Sequence, residues 1–134
     1  MLTLIRLPVI AFLATALLGC TYSANNLPDL AAVSGVITFN GKPLSDATVS
    51  FESENGQIAF GKTDAEGRYE LHYRDGANGA EIGTNTVRVE SLITAPPGPN
   101  YRDPIPPKYN TRSTLTVEVT SGANTHNFDL SSKR

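Results

Sequence analysis

From residue 33 onward the apolar side chains of this sequence recur at every second position, in short runs separated by Gly, Pro, Asn and Asp. A period of two puts alternate side chains on opposite faces of an extended strand, whereas a helix needs apolar residues three or four apart. No window carries a helical period of useful length, so the fold is restricted to the all-β class. The first strand is read over 33–39, with Ile37 and Phe39 on one face. Asn40-Gly41 follows, a pair suited to the two positive φ angles of a type I′ hairpin turn. Ala47, Val49 and Phe51 then alternate with Thr48, Ser50 and Glu52, the pattern of a strand with one wet face. Ile58 and Phe60 mark a third strand. Tyr69, Leu71 and Tyr73 share a face of the fourth, with His72 turned away from it. Val87 and Val89 point inward from a longer strand over 84–92, Leu115, Val117 and Val119 alternate in the next, and Phe128 and Leu130 close the last.

Seven short strands with regular turn punctuation predict two antiparallel sheets packed face to face. The segment 95–107 interrupts the series with Pro96, Pro97, Pro99, Pro104, Pro106 and Pro107. Proline lacks the ladder donor, so this stretch is a loop and not a central strand. It is longer than the fold requires, and long loops in small domains often carry function. Tyr101, Arg102 and Tyr109, in and beside it, are the candidate binding residues.

The N-terminus has a different character. Arg6 is the sole charge before an apolar run from Leu7 to Leu18. That run is shorter than the roughly 20 residues a membrane-spanning helix needs, and its layout is that of a secretory signal. It ends in Leu17-Leu18-Gly19-Cys20, and Cys20 is the one cysteine of the chain. This ending resembles the lipobox of bacterial lipoproteins. The resemblance implies a diacylglyceryl group on the Cys20 thiol, cleavage of residues 1–19, and palmitate-type acyl chains at the new N-terminus. At about 0.8 kcal/mol per buried methylene, two or three such chains hold a protein on a membrane durably. Residues 20–32 read as a lipidated tether with an r.m.s. span of roughly 20 Å. Thr21 follows the cysteine, where Asp directs retention in the inner membrane of many Gram-negative bacteria, so the outer membrane is the expected address. About 115 residues then remain, room for one domain, expected over 33–131.

The chain has a net charge of −2. Lys42, Lys62, Arg68, Arg74, Arg88 and Arg102 are scattered along it, tryptophan is absent, and no basic stripe emerges to mark a nucleic-acid partner. His72 and His126, the two histidines, have no metal-ligand spacing. Asp64 and Glu66 beside Gly67 lack the ligand pattern of an EF-hand, and read as turn chemistry. Ser34 and Ser121 each precede a glycine but have no nucleophile-elbow context. Neither catalysis nor a metal or cofactor is expected.

Two stretches together resemble carboxypeptidase regulatory-like domains. One is Val33-Ser34-Gly35-Val36-Ile37-Thr38-Phe39-Asn40-Gly41-Lys42-Pro43-Leu44, followed by Ala47-Thr48-Val49-Ser50-Phe51; the other is Gly61-Lys62-Thr63-Asp64-Ala65-Glu66-Gly67-Arg68-Tyr69-Glu70-Leu71. The resemblance covers about residues 33–130 and implies a seven-stranded antiparallel Greek-key sandwich of the transthyretin (prealbumin) type. It also implies an accessory role in stabilising, spacing or adhesion. Hydroxyisourate hydrolases share that fold but end in Tyr-Arg-Gly-Ser, whereas this chain reads Ser131-Ser132-Lys133-Arg134. The expectation is therefore a non-catalytic lipoprotein of the bacterial cell envelope, structural or protein-interacting. A carbohydrate- or peptide-binding surface module is the alternative. Its partners would be membrane lipid, through acylated Cys20, and envelope proteins or glycans.

Overall fold

The computed structural model describes residues 27–93 and 96–133. The leader, Cys20 and the first part of the expected tether lie outside the described residues. Among the described residues eleven strands follow in chain order: β1 Leu30–Ala31, β2 Val33–Phe39, β3 Lys42–Pro43, β4 Ala47–Ser53, β5 Ile58–Lys62, β6 Arg68–Glu70, β7 Ala80–Glu81, β8 Gly83–Ser91, β9 Thr116–Val119, β10 Asn124–Thr125 and β11 Phe128–Leu130. Single 3₁₀ turns stand at Arg74–Gly76 and Pro107–Tyr109. The fold is all-β, as the two-residue period dictates, and its strands form several sheets consistent with a sandwich.

One sheet has the order β5-β4-β8-β9 with every pairing antiparallel. The other is built around β2. On one side β2 pairs antiparallel with β3 and β6; on the other it pairs with β10 and β11, both parallel to it. The expectation of a wholly antiparallel sandwich is corrected here. The last strands of the chain run alongside the first long one because they reach it from the opposite sheet rather than by a hairpin. Asn40 (φ 51) and Gly41 (φ 80) make the tight turn from β2 to β3.

Inward residues of both sheets meet in one core. Ile37, Ala47, Val49, Phe51, Leu71, Val87, Val89 and Val119 are fully buried, and Tyr69, Tyr73, Phe128 and Leu130 nearly so. Phe51 stands at the centre of an aromatic group, its ring centroid 6.4 Å from Tyr69, 6.0 Å from His126 and 6.3 Å from Phe128. Burying side chains of this size contributes about 1.5–3 kcal/mol each, which is what holds the two sheets together.

The third strand is present where Ile58 and Phe60 mark it; Ala59 and Gly61 are its inward residues, while Ile58 and Phe60 face solvent, Phe60 at 53% exposure. The cause is a close approach: a Cβ on Gly61 would stand 2.5 Å from the Glu70 carbonyl oxygen, so only glycine fits the inward position. A period of two then sends Phe60 outward. The tether expected over 20–32 is shorter at its far end. Leu30 and Ala31 pair with Glu81 and Ala80, the Ile82 N–H donates to the Asp29 carbonyl at 3.0 Å, and Ala31 is buried.

Candidate functional site

The sandwich has two distinguishable ends. β2 runs from Val33, next to the strand where the chain joins the sandwich, to Phe39 at the hairpin. Seven residues at about 3.3 Å each separate the two ends by roughly 20 Å. Ala31, Glu81 and Asn124 belong to the joining end, where the Asn124 N–H donates to the Ala32 carbonyl at 2.8 Å. The hairpin, the residues after Ser91 and the final strand belong to the other. Leu130 pairs with Phe39, and the Leu92 N–H donates to the Asp46 carbonyl at 2.8 Å. The proline-rich loop therefore stands at the end of the domain opposite to the incoming chain.

That loop is fastened rather than loose. Asp103 accepts from the Ser91 N–H and hydroxyl, both at 2.9 Å, and from the Ile105 N–H at 2.8 Å. Ile105 is fully buried. The buried Asn110 side-chain amide donates to the Val89 and Ile105 carbonyls, each at 3.3 Å, and the Ser113 hydroxyl donates to the Val87 carbonyl at 2.5 Å. The segment after the loop is thus sewn to β8 before β9 begins.

The three candidate binding residues do not form one patch. Tyr101 and Arg102 are exposed, Tyr101 at 43%. Tyr109 is half-buried against the core, and its hydroxyl oxygen accepts the Ser131 N–H at 3.1 Å. With the Lys108 ammonium 5.0 Å above its ring, Tyr109 is a packing and docking residue for the C-terminal segment. Cys20 lies outside the described residues.

What the structure does assemble at this end is three segments that are far apart in sequence and carry exposed cations. The Asn40 side-chain amide donates to the Ser132 hydroxyl at 3.1 Å, and the Ser132 N–H donates to the Asn40 side-chain oxygen at 2.9 Å. The Lys108 ammonium donates to the Lys133 carbonyl at 2.7 Å, and the Arg112 N–H donates to the Pro107 carbonyl at 2.8 Å. Phe39 pairs with Lys42 on one side and Leu130 on the other, a row about 10 Å across. Lys42, Lys108, Arg112 and Lys133 are all exposed. The ion pairs found among the described residues, Lys62 with Asp46 and Arg88 with Glu52, involve none of the four. Sequence reading saw only scattered charge, because three separate segments have to converge before these cations share one end.

Other polar features have local explanations. Asp64 accepts the Glu66 and Arg68 N–H groups, both at 2.9 Å, and so closes the turn between β5 and β6. Asp46, Lys62 and Asp64 line a shallow depression beside that turn. His72 Nδ1 lies 3.0 Å from Asn78 Oδ1 on the surface. His126 packs against Phe51 with the two rings tilted at 51°, its Nε2 buried and without a hydrogen-bond partner. Burial raises the Tyr69 phenol above the ordinary tyrosine pKa, and its hydroxyl donates to the His126 carbonyl at 2.6 Å. Among the described residues no three His, Cys, Asp or Glu side chains stand close enough to hold a metal ion.

The fold and this end together define an all-β domain held at one end by its incoming chain, with a fastened loop and exposed cations at the other. In comparison with known proteins, no family model and no curated protein matches the chain. Among solved structures it is similar to a DUF3823 family protein from Parabacteroides merdae, at 13% identity and a TM-score of 0.41. That alignment covers 78% of this chain, which spans 47% of the length of the other.

Proposed function

We propose that this chain is a non-catalytic, lipid-anchored lipoprotein of the bacterial cell envelope, whose single sandwich has a structural or protein-interaction role. The observation that carries this reading is the placement of Cys20. It ends an apolar leader of secretory layout, and about ten residues later Leu30 is already paired into the domain. A fully extended chain of that length reaches at most roughly 35 Å, so a lipidated Cys20 keeps the domain close to its membrane with the loop end turned outward. The outer membrane is the favoured location, from Thr21 after the cysteine. The finer fold reading is a seven-stranded Greek-key sandwich of the transthyretin type, as in carboxypeptidase regulatory-like domains. It is supported by the sequence stretches around β2 and β6, and by seven strands of three residues or longer against four of two.

Fractionation of cells expressing the full chain and its Cys20→Ser variant tests the anchor. The native chain is expected in the detergent-soluble membrane fraction, and the variant in the soluble fraction or uncleaved. Equal membrane retention and normal processing of the variant would overturn the reading.

The alternative, a surface module that binds carbohydrate or peptide, is favoured by one observation. The exposed Tyr101 and Arg102 stand at the end away from the incoming chain, where a partner has access.

A further inference from the structure

We propose that the outward face of β4 and β5, around Phe60, binds a neutral saccharide. Among the described residues Phe60 is the most exposed of the large apolar side chains, at 53%. Its backbone is held on both sides. The ladder joins it to Ser50 of β4 on one side. On the other its N–H donates to the His72 carbonyl at 2.9 Å, and its carbonyl accepts the His72 N–H at 2.7 Å. Paired residues of an antiparallel ladder carry their side chains on one face, with Cβ atoms about 5 Å apart. The register therefore lays one row across the sheet, Arg88–Ser50–Phe60–His72–Asn78. An exposed ring stands at its centre, with hydrogen-bonding side chains to either side.

A pyranose ring suits this row. Its axial C–H bonds are weakly positive and rest against the negative face of an aromatic ring. Its hydroxyls radiate outward, and each both donates and accepts. A sugar seated on Phe60 has Ser50 on one flank and His72 on the other. His72 Nδ1 lies 3.0 Å from Asn78 Oδ1. An amide oxygen only accepts, so Nδ1 is the donor in that contact, and Nε2 of the neutral imidazole keeps its lone pair. The same contact leaves Asn78 Nδ2 as a donor. The face thus offers a ligand one acceptor, one donor and the Ser50 hydroxyl, which serves as either.

Area and charge select the partner. Phe60 and its strand neighbour Ile58, at 53% and 39% exposure, together show at most roughly 200 Å² of apolar surface. A stable protein interface takes about 800 Å² from each partner, so a second copy of the chain or another protein gains too little here. Strand addition is closed as well, because the edge of β5 at Phe60 is already bonded to His72. A nucleic acid could stack a base on Phe60, but its phosphates would find no net attraction. The outward residues of β4, β5 and β8 hold Lys62 and Arg88 against Glu52 and Glu90, and Arg88 is paired with Glu52. One sugar ring needs only one aromatic face and a few polar neighbours. A ladder bonded on both sides keeps these in place before the ligand arrives.

The test is titration of the full chain, in a detergent without a sugar headgroup, with galactomannan, laminarin, soluble starch, hydroxyethylcellulose and a thymidine oligonucleotide. At least one of the neutral glycans is expected to bind, and the oligonucleotide is not. Phe60→Ala should weaken glycan binding about tenfold or more, and Phe60→Trp, which keeps an aromatic face, should retain it. His72→Ala and Asn78→Ala should each weaken it about threefold or more. Tyr101→Ala, on the proline-rich loop, should leave it intact. All these positions are exposed, so the substitutions change the surface and not the core. The proposal is overturned if none of the glycans binds, if Phe60→Ala binds as the parent does, or if Tyr101→Ala abolishes binding. A dimer in sedimentation that Phe60→Ala dissolves would assign the face to a second copy and overturn it as well. Tighter binding of the oligonucleotide than of any glycan would do the same. Loss of the lipid anchor would leave all these outcomes unchanged, so the two ideas fail separately.

Discussion

The Tyr69 hydroxyl donates a 2.6 Å hydrogen bond to the carbonyl of His126, reaching across β2 from β6 to the segment between β10 and β11. The phenol crosses β2 at Gly35, its cross-strand partner, where a Cβ would stand 3.0 Å from Tyr69 Cε1 and collide with the His126 carbonyl. One ring and one missing side chain thereby join the first long strand of the domain to the last part of the chain.

Tyr69→Phe removes that bond while keeping the ring, and should cost about 1–2 kcal/mol in denaturant unfolding. The native protein also has a defined alkaline response. Burial holds the Tyr69 phenol neutral above its ordinary pKa, so above about pH 10 the unfolded chain releases a proton that the folded chain keeps. Stability is complete below that pH and falls as pH rises through it. Tyr69→Phe should flatten this alkaline slope, and an unchanged slope in the variant would show that the phenol is not responsible.

Gly35→Ala should be far more damaging than its single methyl suggests. The added carbon meets backbone, which has no rotamer to yield, so β2 and the His126 segment must separate. A loss of about 3 kcal/mol or more is expected, among the largest for a single substitution. Thermal melts that place this variant within about 1 kcal/mol of the parent would contradict the packing described.

His126 offers the opposite change. Its Nε2 is buried without a partner, and its ring packs on Phe51. His126→Phe retains the ring contact and removes the unsatisfied nitrogen, so stability should rise by about 1 kcal/mol. A lower melting temperature would indicate that the nitrogen has a partner such as water.

Asp103→Ala tests the fastening of the proline-rich loop. It removes acceptors for Ser91 and Ile105 at once, and a cost of about 1–3 kcal/mol is expected. Amide hydrogen exchange should show Ser91 and Ile105 losing protection while Val49 and Val87 in the core keep theirs.

Much of this was readable in the sequence wherever a strand obeys its period. Ala47, Val49 and Phe51 alternate and are all fully buried, as are Val87 and Val89, and Asn40-Gly41 turns with the positive φ angles it was chosen for. Local pattern is silent where long-range contact decides. Phe60 faces out because Gly61 must face the Glu70 carbonyl, and nothing within β5 announces that. Two-residue strands such as β1 and β7 are too short to show a period. The parallel pairing of β10 and β11 with β2 is a matter of topology, which alternation does not encode. Tyr101 and Arg102 are exposed on the loop as expected, but Tyr109 was indistinguishable in sequence from a binding residue, since its role depends on Ser131. The contact between Lys108 and Lys133 depends on the same C-terminal segment returning beside the hairpin.

The anchor at Cys20 is tested most directly by mass spectrometry of the N-terminal peptide of the protein extracted from its own cells. The expected result is a chain beginning at Cys20 and carrying a diacylglyceryl group on sulfur. An exported chain with a free, unmodified Cys20 thiol would contradict it.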